Sequence, residues 1–176
     1  MAMQIGDIRL KAHPEGFQID DNGAPAFVNL PDAREIAIVD LVKGEVVGTM
    51  PTQDYRSNVP MALNREAHRV LVVFSSPARL LVLSATDNSV LADVETCGDA
   101  DDLSVDAKRH RLNVSCGAGQ VDVFEQQGGA YQRIGNVGTA PGARTSLFVP
   151  ELDRLFVALR AAGKEPAAIW VFRPAA

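Results

Sequence analysis

The chain is poor in the residues from which most catalytic sites are built. It has three histidines, two cysteines and one tryptophan in 176 residues. His13, His68 and His110 fall in no pattern with a nucleophile and a carboxylate, so no Ser-His-Asp constellation can be assembled. Cys97 and Cys116 are too few for a disulfide scaffold and lack zinc-ligand spacing. Basic charge is also scarce. Seventeen Lys and Arg against 22 Asp and Glu give a net charge of -5, which argues against nonspecific binding to nucleic acid or to an anionic membrane. No run of 18 apolar residues exists, so no membrane-spanning helix is expected. The opening "MAMQIGDIRLKAHPEG" has neither a basic nor an apolar leader segment. A cytoplasmic location is the expectation for the sequence as it stands, and export if a leader was removed. No cofactor is expected: "GAGQVDVF" precedes no helix, as a phosphate-cradling loop would.

What the chain has is strands. Hydrophobic residues make up 47% and charged residues 22%, an ordinary globular balance. A chain of this length buries roughly 70% of its unfolded surface in a single domain. Its apolar runs are four to six residues long, rich in Val, Leu, Ile and Phe, and bounded by polar turns. They recur. "PAFVNL" at Pro25, "RVLVVF" at Arg69, "RLNVSC" at Arg111 and "RLFVAL" at Arg154 are spaced 44, 42 and 43 residues apart. A strand precedes each ("GFQI", "PMAL", "DLSV", "TSLF") and another follows ("EIAIVD", "RLLVLS", "QVDVFE", "AIWVFR"). The first three copies add a fourth strand: "EVVGTM", "SVLADV" and "YQRIGNV". Four strands per period of about 40 residues is the pattern of a β-propeller blade.

The expected fold is therefore all-β: one propeller unit over residues 1–176, with antiparallel four-stranded blades at about 13–57, 58–99, 100–142 and 143–176. The last copy lacks its outer strand. Residues 3–10, "MQIGDIRL", stand where such a strand belongs, so the N-terminal segment is expected to complete the last blade and hide its edge.

The segments "PDAREIAIVD", "SPARLLVL", "CGDADDL", "RLNVSCGAGQVDVF" and "TAPGARTSLFVPELDRLFVA" resemble the bacterial YVTN-type β-propeller repeat proteins, from His13 to Pro174. The resemblance implies a propeller and leaves function open, since family members largely lack assigned activities. They mostly have seven or eight blades, about twice the number here. Three arrangements follow: four blades closed on themselves, a homodimer forming an eight-bladed ring, or a piece of a longer protein. The homodimer is favoured, because packing suited to about 45–50° per blade does not splay to 90° without voids.

In a four-stranded meander the d–a and b–c loops share one face, which is where a ligand site is expected. Glu15, Asp101 and Arg144 occupy equivalent positions where a first strand enters near the axis, followed by Asp102 and Thr145; Asn58, Arg34 and Arg79 belong to the same side. These charges read either as a polar-ligand site or as an ion pair locking neighbouring blades. "CGDADD" lacks the calcium-loop pattern, so no metal is assigned. Cys97 and Cys116 belong to the same face, as a candidate disulfide or as two buried thiols. His68 and His110 share one turn slot, which the repeat explains, and Trp170 belongs to a core strand. The expected function is a noncatalytic scaffold binding a protein or small ligand. The alternative is a hydrolase or lyase acting on a lactone or sugar acid, with a divalent ion held by Asp101, Asp102 and Glu15.

Overall fold

The computed structural model describes residues 1–20, 25–52 and 54–175, and of Asn58 the backbone only. The turn "DNGA" at 21–24 lies outside the described residues. Among the described residues, fifteen strands form four antiparallel sheets, each a meander. Blade 1 is β1 (Phe17–Ile19), β2 (Ala26–Leu30), β3 (Glu35–Asp40) and β4 (Glu45–Pro51). Blade 2 is β5 (Arg56–Asn64), β6 (Arg69–Ser76), β7 (Ala78–Ser84) and β8 (Val90–Glu95). Blade 3 is β9 (Ala100–Asp106), β10 (Arg111–Cys116), β11 (Gln120–Gln127) and β12 (Ala130–Gly138). Blade 4 has three strands: β13 (Ser146–Val149), β14 (Arg154–Leu159) and β15 (Ala168–Phe172).

The apolar runs are strands because they are buried on both faces. In β6, Val70, Val72 and Phe74 pack with Phe27 and Ile36 of blade 1. The alternate residues Leu71 and Val73 pack with Leu112, Val114 and Phe124 of blade 3. A strand sandwiched this way needs apolar residues at every position rather than every second one. Each such side chain contributes about 1.5–3 kcal/mol by leaving water. The polar turns are closed by short side chains, as their composition suggests. Asn64 Oδ1 accepts from the Ala67 N–H at 3.2 Å, and Asp106 Oδ1 from the Arg109 N–H at 3.3 Å. His68, His110 and Asp153 hold equivalent left-handed positions at φ 51°, 53° and 52°, immediately before Arg69, Arg111 and Arg154. The two histidines are thus turn residues.

The blades stack in chain order, with β1 against β5, β5 against β9 and β9 against β13. One expectation is corrected here. Residues 3–10 form no strand and do not complete the last blade. Instead Ile8 and Leu10 pack on Ala26, Val28, Leu30, Ala37 and Val39, the face of blade 1 turned away from blade 2. The cause is the apolar character of that face, which takes Ile8 and Leu10 partly out of water. At the two ends of the stack, Phe17 and Ile19 of blade 1 and Leu147, Ile169 and Val171 of blade 4 remain exposed, so these end faces do not cover one another.

Candidate functional site

The d–a and b–c loops lie together on one face. The Thr52 N–H donates to Arg34 O at 3.0 Å, Thr96 N–H to Ala78 O at 3.2 Å and Thr139 N–H to Gly119 O at 2.8 Å, tying each outer strand's exit to the b–c turn of its own blade. The opposite face carries the a–b and c–d turns, where the Ala85 N–H donates to His68 O and the Gln126 N–H to His110 O.

On the loop face, the charged residues of the axial mouth are consumed by blade–blade contacts. Arg144, at the entrance to blade 4, donates to Asp99 and lies 3.5 Å from Asp101, both at the entrance to blade 3. Asp102 accepts from the Ser146 N–H across the same junction, and Ser115 Oγ donates to Ser146 Oγ at 2.8 Å. Burial raises the Asp102 carboxyl above its ordinary value; the Ser146 N–H opposes this, and the nearby charge of Asp101 adds to it. A Cβ at Gly117 beside this cluster would meet the Asp99 carboxylate, which would have to swing aside. The other candidates lie apart. Glu15 is within blade 1, its carboxylate 3.8 Å from His13 Nε2. Arg34 is an exposed left-handed cap (φ 54°) after the turn at Pro31–Ala33. Thr145 is exposed and its carbonyl accepts from the Ala158 N–H. The Asn58 side chain lies outside the described residues. Among the described residues no group of three or more His, Cys, Asp and Glu side chains could hold a metal ion, and Glu15, in blade 1, lies apart from Asp101 and Asp102, in blade 3.

Cys97 and Cys116 are joined as a disulfide, with a Cα–Cα distance of 5.9 Å. It links the loop leaving blade 2 to the end of the second strand of blade 3.

A second cluster on this face was not foreseen as a site. Tyr55, Pro77, Ala78, Arg79, Asp93, Glu95, Thr96 and Arg133 line an open cleft of about 400 Å³ where blades 2 and 3 meet. Arg79 donates through Nε to Asp93 Oδ1 at 2.6 Å and through Nη2 to Asp93 O at 3.0 Å. The Tyr55 hydroxyl donates to the other Asp93 oxygen, which holds the phenol's proton more tightly than usual. Burial works against ionisation of Asp93, but the bonds from Arg79 and Tyr55 outweigh it and its carboxyl is lowered overall. Behind the cleft is Asp122, whose side chain is fully buried. It is held by Arg133 Nη1 at 3.1 Å, Thr96 Oγ1 at 3.3 Å and Gln120 Nε2 at 2.8 Å. Arg133 itself is 42% exposed. The sequence did carry one signal for this arrangement: Asp122 stands in the middle of the buried run "QVDVFE", and a carboxylate there requires a partner.

By fold the chain is a β-propeller protein. The solved structures it is similar to include Kuenenia stuttgartiensis hydrazine synthase, with a TM-score of 0.80 at 13% identity over 98% of this chain and 49% of that one. They also include a chain of a mitotic checkpoint complex, with a TM-score of 0.77 at 11% identity over 94% and 51%. Both are propeller proteins. The chain spans about half the length of these solved chains. Neither a family model nor a curated protein matches the sequence.

Proposed function

We propose that this chain is a noncatalytic YVTN-type propeller scaffold, and that its blade 2/blade 3 cleft binds a partner through an exposed carboxylate, such as an acidic side chain or the C-terminus of a peptide. The observation that carries this reading is the state of Arg133. One edge of its guanidinium is fixed on the fully buried Asp122, while the side chain is 42% exposed toward the cleft. A guanidinium already anchored on one side loses little freedom when it meets a second carboxylate on the other. Arg79 lines the same wall, so two guanidinium groups line one concavity.

The test is a peptide-display selection against the purified chain, followed by affinity measurements on the enriched peptides. Enrichment of acidic or free-carboxyl peptides is expected, with at least tenfold weaker binding to Arg133→Gln and intermediate binding to Arg133→Lys. A His110→Asn control on the opposite face should bind like the parent, and circular dichroism should confirm that each variant is folded. Peptides that bind Arg133→Gln as well as the parent would overturn the reading.

A further inference from the structure

Blade 4 ends at β15, whose outer edge pairs with no strand among the described residues. Beside it, between blades 3 and 4, runs an apolar groove of about 300 Å³ whose lining includes Val121, Val123, Ile134, Val137, Leu155 and Phe172. A free edge beside an apolar groove is a template for an added strand.

The other blades show what that strand must look like. In each complete blade the outer strand bulges against its neighbour. The pairing slips between Val46 and Gly48, between Val90 and Ala92, and between Arg133 and Gly135, leaving Val47, Leu91 and Ile134 out of register. The local sequences are Val-Gly-Thr-Met (47–50), Leu-Ala-Asp-Val (91–94) and Ile-Gly-Asn-Val (134–137). Each reads large apolar, small, short polar, large apolar. Residues 5–8 are Ile-Gly-Asp-Ile, the same order. Yet in this chain residues 3–10 lie on blade 1, at the other end of the stack from β15, with Met3 and Ile5 exposed.

The geometry points to a second copy of this chain as the partner: blade 4 of each copy packs on blade 1 of the other, and Met3–Leu10 of each adds as the fourth strand beside β15 of its partner. A two-fold axis satisfies both ends at once and closes a ring of eight blades. The packing continues the blade-on-blade interface that already runs through the chain. Met3, Ile5, Phe17, Ile19, Leu147, Ile169 and Val171 are 42% to 93% exposed. At roughly 200 Å² for each large apolar side chain they offer about 900 Å² per copy, one partner's share of a stable interface.

The register follows from the complete blades. There the small residue lies opposite Ile38, Val82 or Val123, which in turn pair with Phe27, Leu71 and Asn113. The equivalent position in blade 4 is Val171, paired with Phe156. Gly6 therefore lies opposite Val171, and Ile8 opposite Ile169. This proposal goes beyond the cleft reading, and its readouts do not depend on any peptide binding there.

Light scattering on the full chain should give about twice 18.8 kDa at micromolar concentration. A variant carrying Ile8→Cys and Ile169→Cys should oxidise to a covalent dimer. Adjacent prolines at Gly6→Pro and Asp7→Pro remove a strand donor whichever way the segment faces, since successive N–H groups point to opposite sides. Residues 6 and 7 are exposed in the single chain, so this variant should stay folded and weaken dimerisation at least tenfold. A monomer at all concentrations, an intrachain rather than interchain cross-link, or a dimer indifferent to the prolines would each overturn the proposal.

Discussion

Asp102 and Asp122 are two carboxylates in one blade that the structure treats differently. Asp122 is fully buried but has Arg133, Thr96 and Gln120 around it. The Asp102 carboxylate has the Ser146 N–H, with the like charge of Asp101 nearby, and burial as the largest influence raises its carboxyl. A folded value above the unfolded one means that the native state holds the extra proton in the window above 3.8, so stability falls as pH rises through it. Asp102→Asn keeps an oxygen for the Ser146 N–H and removes the charge. At pH 7 it is expected to change stability by between zero and about 1 kcal/mol in the favourable direction, the smaller figure reflecting the weaker neutral acceptor. The difference from the parent should close as the pH falls below about 4. Urea denaturation at pH 7 and pH 3.5 measures it, and a loss above 1 kcal/mol at pH 7 would show that the charged acceptor outweighs the burial penalty. At this scale the sequence was half legible. Arg144 beside the Asp99–Asp102 loop could be paired by placing equivalent repeat positions side by side. Arg133 could not, because it sits in an outer strand whose alternation looks like ordinary solvent exposure, and its role depends on a carboxylate eleven residues away across a hairpin.

Among the elements, strands and turns were readable because each blade repeats the same physical problem. A centre strand pressed from both sides must be apolar throughout, as β6 is, and the turn before it must supply an Asx-type acceptor or a left-handed residue. The placement of residues 3–10 was not readable, since a local strand pattern does not say which sheet, if any, receives the strand. The disulfide also acts at this scale, because it joins the exit of β8 to the end of β10 over a sequence separation of 19. Closing a loop of that length removes unfolded-state entropy worth about 3 kcal/mol. Cys97→Ala with Cys116→Ala should therefore lower the melting temperature by roughly 6–12 °C for a domain of this size. Scanning calorimetry checks this. An unchanged melting temperature would mean that the two cysteines pack equally well without the bond.

Taken whole, the molecule is an open stack of blades in which each blade is held by its neighbours, so its stability is close to a sum of blade and interface contributions. Blade 2 has a partner on both faces, and Val70, Leu71, Val72, Val73 and Phe74 are completely buried. Among the described residues, blade 4 has a partner on one face, three strands and an open edge. Opening should begin there. Amide hydrogen exchange is expected to be slowest in β6 and β7 and fastest in β13–β15, with the order set by position in the stack rather than by strand composition. Uniform protection across the four sheets would show instead that the stack opens as one unit. Protein concentration separates the causes of any protection at the end: if the outer edge of β15 is covered by a second copy, exchange in Ala168–Phe172 should slow as concentration rises while exchange in β6 stays constant. If blade 4 is simply stable by itself, neither should respond.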